Sequence, residues 1–226
     1  MRLFWWDRVP NIGDRISAML LRHHGQEVQW SPPREADWVA AGSVLEHFDG
    51  FTGTVWGTGR AGPHSPPTDL SGARVLALRG KETLALAKTE NVPVLGDPGI
   101  LACDLVKQGP RDSGYTAIVP HWQDQERMRE TYREGVFVDV VDDVLEALRL
   151  ISGASRVVSS SLHGIVFADS YGVPRMWDWF DAVQGRGFKF RDYGTVLGPF
   201  EPGEWHKPDP GLVKDIKDGL RGCLTL

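Results

Sequence analysis

The chain has 226 residues, 41% of them apolar and 24% charged, and its 25 Lys and Arg against 30 Asp and Glu leave a net charge of −5. That usage is ordinary for a globular protein of one large or two small domains and excludes disordered or fibrous chains, while a negative balance without a basic cluster argues against nucleic acid as the main partner. Cys103 and Cys223 make neither a disulfide framework nor a metal spacing, no apolar run nears the roughly 20 residues of a membrane helix, and Arg2, Asp7, Arg8 and Pro10 break up any secretory signal, so a soluble, cytoplasmic, metal-free protein is expected.

The aromatic run Arg2–Trp6 predicts a first strand, ending at Pro10-Asn11-Ile12-Gly13-Asp14. Ile16, Met19, Leu20 and His23 then recur at helical spacing, with Asp14 as N-cap and Gly25 as terminator. Trp38–Ala41 and Thr54–Trp56 predict strands that run into the turns Gly42-Ser43 and Gly57-Thr58-Gly59, and Gly62–Pro67 predicts a loop. Arg74–Leu78 is a continuous apolar strand ending at Arg79-Gly80, followed by a helix from Lys81 to about Lys88. Val92–Leu95 is a further strand, closed by Gly96-Asp97-Pro98-Gly99. After the polar linker Lys107–Gly114 the pattern restarts. Strands at Tyr115–Val119, Val136–Val138, Arg156–Ser159 and Val173–Trp177 alternate with helices at Gln123–Arg133, Val144–Ile151 and Ile165–Tyr171, and Pro210–Leu220 is a last helix. Strands apolar on both faces, alternating with helices, specify parallel sheets covered on both sides. The expected fold class is α/β, two Rossmann-like halves with a cleft between them at the carboxyl ends of the strands. The expected division is an N-terminal domain over 1–108, a C-terminal domain over 115–207 and a C-terminal helix over 208–226.

The chemistry concentrates in Val157–Asp169: a buried strand, the hydroxyl-rich turn Ser159-Ser160-Ser161, then Leu162-His163-Gly164 opening an apolar helix. Unpaired N–H groups and the positive end of a helix dipole suit a phosphate or carboxylate there. Ser160 and Ser161 add hydroxyls, Gly164 leaves the turn unguarded, and His163 at the cleft edge is the acid/base candidate. Arg79, at the end of an apolar strand, points into the cleft, and its planar fork suits the same anions; the plainer reading pairs it with Glu82. Val119-Pro120-His121 delivers a second histidine to the cleft, and Asp97 is a candidate carboxylate base. Asn11, Gly13, Asp14, Gly42, Ser43, Gly57 and Thr58 lie on strand-to-helix turns that suit a polyhydroxyl or phosphate ligand. Gly57-Thr58-Gly59 lacks the third glycine of a dinucleotide fingerprint, and there is no triphosphate loop. His23-His24 and Asp142-Asp143 are adjacent pairs that cannot face a shared metal from a helix. Trp177-Asp178-Trp179-Phe180-Asp181 reads first as packing, and second as a sugar-stacking surface or, with Phe188 and Phe190, a membrane-contact patch.

Taken in order, Asn11-Ile12-Gly13-Asp14, Gly42-Ser43-Val44-Leu45, Trp56-Gly57-Thr58-Gly59, Leu78-Arg79-Gly80-Lys81-Glu82-Thr83, Leu95–Gly99, Val119-Pro120-His121, Ser159–Ala168 with Tyr171-Gly172-Val173-Pro174, and Phe188–Tyr193 resemble the polysaccharide pyruvyl transferase family. The resemblance implies a glycosyltransferase-B-like arrangement of the halves, phosphoenolpyruvate as donor with no cofactor, and a pyruvate ketal bridging two hydroxyls of a cell-surface glycan or exopolysaccharide as product. It maps the family's donor-site arginine onto Arg79 and its leucine–histidine pair onto Leu162 and His163. The catalytic set is then His163, Arg79 and Asp97, the donor set Ser160, Ser161, Leu162, Gly164 and His121, and the acceptor set the turn residues of the first half, with Asp14 as a second candidate base. A lipid-linked saccharide acceptor would draw the enzyme to the inner face of the membrane. Two other readings compete: a sugar-nucleotide glycosyltransferase on the same architecture, for which the second half shows no clear acidic ribose contact, and a non-catalytic glycan-binding protein, against which Arg79 and His163 count.

Overall fold

The computed structural model describes residues 1–9, 11–91, 93–110, 114–141, 143–179 and 187–225. Each predicted half builds its own sheet. The first half contributes β1 (Arg2–Phe4), β2 (Gln29–Trp30), β3 (Trp38–Val39), β4 (Thr54–Trp56), β5 (Thr68–Asp69), β6 (Arg74–Leu78), β7 (Ala87–Lys88) and β8 (Val94–Leu95). Six of these pair in the order β2-β1-β3-β4-β6-β8, all parallel, and β5 pairs with β7 apart from them. The second half contributes β9 (Thr116–Val119), β10 (Val136–Phe137), β11 (Arg156–Ser159), β12 (Arg175–Trp177) and β13 (Trp205–His206). They pair in the order β10-β9-β11-β12-β13, parallel except for the edge strand β13. The helices are α1 (Ile12–His23), α2 (Lys81–Ala85), α3 (Ala102–Leu105), α4 (Gln125–Thr131), α5 (Val144–Gly153), α6 (Leu162–Ser170), α7 (Phe188–Leu197) and α8 (Pro210–Gly222). The α/β class with parallel sheets is thus as expected.

Side chains alternate across each strand, and the alternation sorts the core. Leu3, Ala40, Trp56 and Ala77 face a core that Ala117, Val119 and Val157 of the second sheet share. Phe4, Val39, Val55 and Val75 face the opposite way, onto Leu45, Phe48 and Leu70, and Ile118 and Val158 turn to Met128. Helix α6 is apolar all round because it lies between the halves, and every residue from Leu162 to Ser170 is buried. It packs on β11, β12 and α5 of its own half and on α1 and α3 of the other. Two later helices cross back to the first half. On α8, the Leu220 carbonyl accepts the Trp56 indole N–H at 3.3 Å; on α7, the Thr195 hydroxyl accepts the Lys81 N–H at 2.8 Å.

Several limits differ from expectation for local reasons. Helix α1 starts at Ile12 with Asn11, not Asp14, as its cap, since Asn11 Oδ1 accepts the Asp14 N–H at 3.0 Å. Helix α6 begins at Leu162, ahead of the expected Ile165, because Ser161 is already extended and serves as N-cap. Helix α2 ends at Ala85, where the chain turns into β7 to pair with β5. Val92, Arg111–Ser113 of the linker, Asp142, Phe180 and Asp181 lie outside the described residues. Trp177 stacks on Phe190 at 4.2 Å, with Trp179 half-buried at 5.0 Å from it, and Phe188 and Phe190 are buried, so these aromatics pack the second half. Among the described residues no helix is long and apolar enough to cross a membrane, and no group of three or more His, Cys, Asp or Glu is placed to hold a metal.

Candidate functional site

Turns leaving the carboxyl ends of strands in both sheets converge on one cleft of about 260 Å³. The first half brings Trp6, Asn11, Gly13, Asp14, Ser43 and His47; the second brings Pro120-His121-Trp122, Ser161-Leu162-His163 and Lys189. Leu162 and His163 open α6, and Ser161 does not cap their turn with its side chain. The first-turn N–H groups of a helix have no partner within the helix, so the mouth of α6, whose Ser161, Leu162 and His163 line the cleft, has the donors that suit an anion.

His163 sits at the centre of this arrangement. Its Nε2 lies 3.7 Å from Asp97 Oδ2, and the Asp97 side chain is fully buried while that of His163 is 11% exposed. Asp97 is held in turn by its own turn, where Oδ1 accepts the Gly99 N–H at 2.9 Å. At 3.7 Å the buried carboxylate backs the imidazole without a direct hydrogen bond to it. The other side of the ring rests on backbone: a Cβ built on Gly13 would lie 2.1 Å from His163 Nδ1. Only a glycine in the first turn of α1 lets the imidazole occupy this place. We therefore expect Gly13→Ala to swing the ring away and reduce turnover at least about tenfold. The melting temperature should barely fall, because alanine gains about 1 kcal/mol over glycine in a helix. Turnover and melting measured on one preparation check this, and unchanged turnover would dissociate the ring's position from activity.

Burial sets the charges around the histidine. It pushes the His121 imidazole down to about 3, with Lys189 adding to the effect, so His121 is neutral near pH 7. Burial also pulls Lys189 down to about 8, aided by the Arg79 charge and opposed by Asp14 and Asp124. Asp14 is raised by burial, against the pull of His163, its Asn11 hydrogen bond and Lys189. Asn11 Nδ2 also bonds Asp14 Oδ2 closely.

The structure thus brings Asn11, Gly13, Asp14, Ser43, His121, Ser161, Leu162 and His163 to one cleft, and moves other expected site residues away from it. Arg79 is not an open cleft cation. Its guanidinium is fully buried, donating from Nε to Asp192 Oδ2 at 2.9 Å, from Nη1 to Ser43 Oγ at 2.6 Å and from Nη2 to the Arg60 carbonyl at 2.6 Å. Its ionic partner is Asp192, not Glu82. Asp97 stands behind His163 and does not face a sugar. Ser160 Oγ accepts the His121 N–H at 2.8 Å and is fully buried, so it braces the histidine turn. Gly164 faces the sheet: a Cβ there would meet Ser159 Oγ at 2.2 Å, so its role is close helix–strand packing. Gly57 is pressed on Pro98, the Thr58 hydroxyl donates to the Gly42 carbonyl at 3.0 Å, and Gly42 holds a φ of +119°; none of the three lines the cleft. Trp6, His47, Trp122 and Lys189 are cleft residues that sequence reasoning missed, and Lys189 is the cation among them. The available signal was a lysine between two phenylalanines, a cation that burial would otherwise penalise.

Comparison with known proteins agrees with the expected resemblance. The family model described as polysaccharide pyruvyl transferase matches residues 70–177, a span containing Asp97, His121 and His163. An uncharacterized protein of Acanthamoeba polyphaga mimivirus is 36% identical over 135 residues, covering 54% of this chain and 47% of its own length. The succinoglycan biosynthesis protein ExoV of Rhizobium meliloti (strain 1021) is 27% identical over 154 residues, covering 65% of this chain and 46% of its own. The matches therefore span less than half the length of these relatives. No solved structure matches the chain.

Proposed function

We propose that the chain is a polysaccharide pyruvyl transferase, the family whose model matches residues 70–177, and that it transfers pyruvate from phosphoenolpyruvate onto two hydroxyls of a sugar, as a cyclic ketal, in polysaccharide biosynthesis. One observation carries this reading: His163, backed by Asp97, stands at the open mouth of α6 in a cleft formed by both halves. Phosphoenolpyruvate carries a phosphate and a carboxylate, which suit a helix N-terminus, and a vinyl carbon that must be protonated. In the proposed reaction His163 gives its proton to the methylene carbon and a sugar hydroxyl adds to the neighbouring carbon. The bond to the phosphate oxygen then breaks, and a second hydroxyl closes the ketal. Of the two hydroxyl protons, one balances the new methyl group and the other leaves with phosphate. A single histidine, able both to give and to take a proton, can carry both transfers. From the first half, Asn11, Asp14 and Ser43 offer hydrogen bonds to the sugar and Trp6 a flat face for its ring, with Trp122 of the second half as a further face at the rim. This assigns donor to the second half and acceptor to the first, as in a glycosyltransferase-B-like arrangement.

The test is phosphate release on mixing the protein, phosphoenolpyruvate and a panel of oligosaccharides, free and lipid-linked, with the ketal methyl group followed by proton NMR. Phosphoenolpyruvate alone is expected to raise the melting temperature, since a ligand of the native state stabilises it. Absence of both the phosphate and the melting shift would overturn the assignment.

A further inference from the structure

We propose that Lys189 is the cationic ligand for the donor's phosphate or carboxylate, and that the buried Arg79–Asp192 pair is the device that positions it; the inference rests on the donor assigned above. Among the described residues lining the cleft, Lys189 is the sole lysine or arginine. It enters from the first turn of α7 and lines the same cleft as the turn that opens α6. Without Lys189, the phosphate and carboxylate of a donor bound at α6 would meet neutral His121, the acid of Asp14 and the imidazoles of His47 and His163, none of them a lysine or arginine. Lys189 supplies the missing charge.

Its position depends on how α7 is docked. Asp192, one turn further along the helix, accepts from Arg79 Nε at 2.9 Å, from the Thr83 N–H at 2.8 Å and from the Thr83 hydroxyl at 2.6 Å. Both Arg79 and Asp192 are fully buried. The approach is close enough that a Cβ on Gly80 would lie 2.0 Å from the Asp192 carbonyl oxygen. Arg79 also holds Ser43, which lines the opposite wall, so one guanidinium fixes the cation of one half against the polar wall of the other. Arg79 and Asp192 are thereby positioning residues, acting through α7.

The charged and titratable groups around Lys189 are Arg79 from β6, Asp14 from α1, Asp124 before α4 and His121 after β9. With the free amine at about 8, donor affinity should fall as pH rises through that value, by about tenfold per unit beyond it, while bound anion raises the amine's own affinity for its proton.

The experiment is calorimetric titration of phosphoenolpyruvate, and separately of inorganic phosphate, into wild type, Lys189→Arg and Lys189→Met across roughly pH 6.5 to 9.5, a range that brackets the lysine's titration. Lys189→Met is expected to bind both probes about ten- to a hundredfold more weakly and to flatten the pH dependence. Lys189→Arg should restore affinity and remove the fall at high pH, since arginine stays charged. Equal affinity of wild type and Lys189→Met overturns the inference. Lysine-dependent binding of phosphate without binding of phosphoenolpyruvate supports the anion site and overturns the donor assignment instead. For the positioning pair, Asp192→Asn and Gly80→Ala are expected to raise the donor KM several-fold with kcat at saturation kept. An unchanged KM in either folded variant overturns that part.

Discussion

His163→Ala is expected to lose about a hundred- to ten-thousandfold in pyruvyl transfer, the range that a positioned acid/base group contributes, while its melting curve stays cooperative and close to wild type. The imidazole lies between the Asp97 carboxylate, 3.7 Å from its Nε2, and the Gly13 backbone. Its removal takes away the proton donor and leaves donor binding by the α6 mouth in place, so the loss should fall on kcat rather than on the phosphoenolpyruvate KM. Added imidazole should restore part of the rate, because the space left beside Gly13 has the shape of that ring. Asp97→Asn, by contrast, keeps the acid and disturbs only its orientation, and its loss should be smaller. Phosphate release under saturating donor, with melting curves alongside, separates these cases; near-normal turnover in His163→Ala would remove the histidine from the mechanism.

How far such a site is legible from sequence depends on the range of the interactions that build it. Strands β4, β6 and β11 have the limits expected, Thr54–Trp56, Arg74–Leu78 and Arg156–Ser159, because an apolar run between turn residues is a local signal. His163 was also legible, since a strand that hands over to a helix in a parallel sheet must deliver the intervening residues to the carboxyl edge. The short strands β2, β5, β7 and β13 were not, as two residues show no alternation. Helix α7 escaped notice for another reason: its buried face includes Asp192 and Gly194 as well as phenylalanines, which blurs an apolar stripe. Arg79 exposes the limit most clearly. Position at the end of an apolar strand puts it beneath Ser43 of the cleft wall, but whether its guanidinium is open or occupied depends on Asp192, more than a hundred residues away, for which the neighbouring sequence holds no sign. Gly13 could have been singled out by cost, because a glycine in the first turn of a helix weakens it unless close approach is required.

Arg79→Ala is the variant in which the sequence-based and structural expectations part most widely. As an open donor ligand, Arg79 would be replaceable with loss of activity and an intact fold. As the fully buried partner of Asp192, it leaves behind an unpaired carboxylate, an uncapped Ser43 hydroxyl and an unmatched Arg60 carbonyl. Breaking a buried pair from one side costs about 3–5 kcal/mol, which for a chain of this size corresponds to a fall in melting temperature of roughly 6–20 °C. Arg79→Lys should recover little, because one ammonium on a flexible stem cannot reach three acceptors lying in three directions as the planar fork does. Replacing both partners, as in Arg79→Met with Asp192→Leu, should be less damaging to stability than Arg79→Ala alone, since no charge is then stranded. The double variant should still bind phosphoenolpyruvate weakly, because α7 and Lys189 would lose the Arg79 and Thr83 bonds to Asp192. Thermal melts of the single and double variants form a cycle whose coupling term measures the pair directly. A single variant that melts like wild type and loses only donor affinity would restore Arg79 to the cleft as a ligand, and would mean that α7 swings away from Asp192's present contacts when the donor binds.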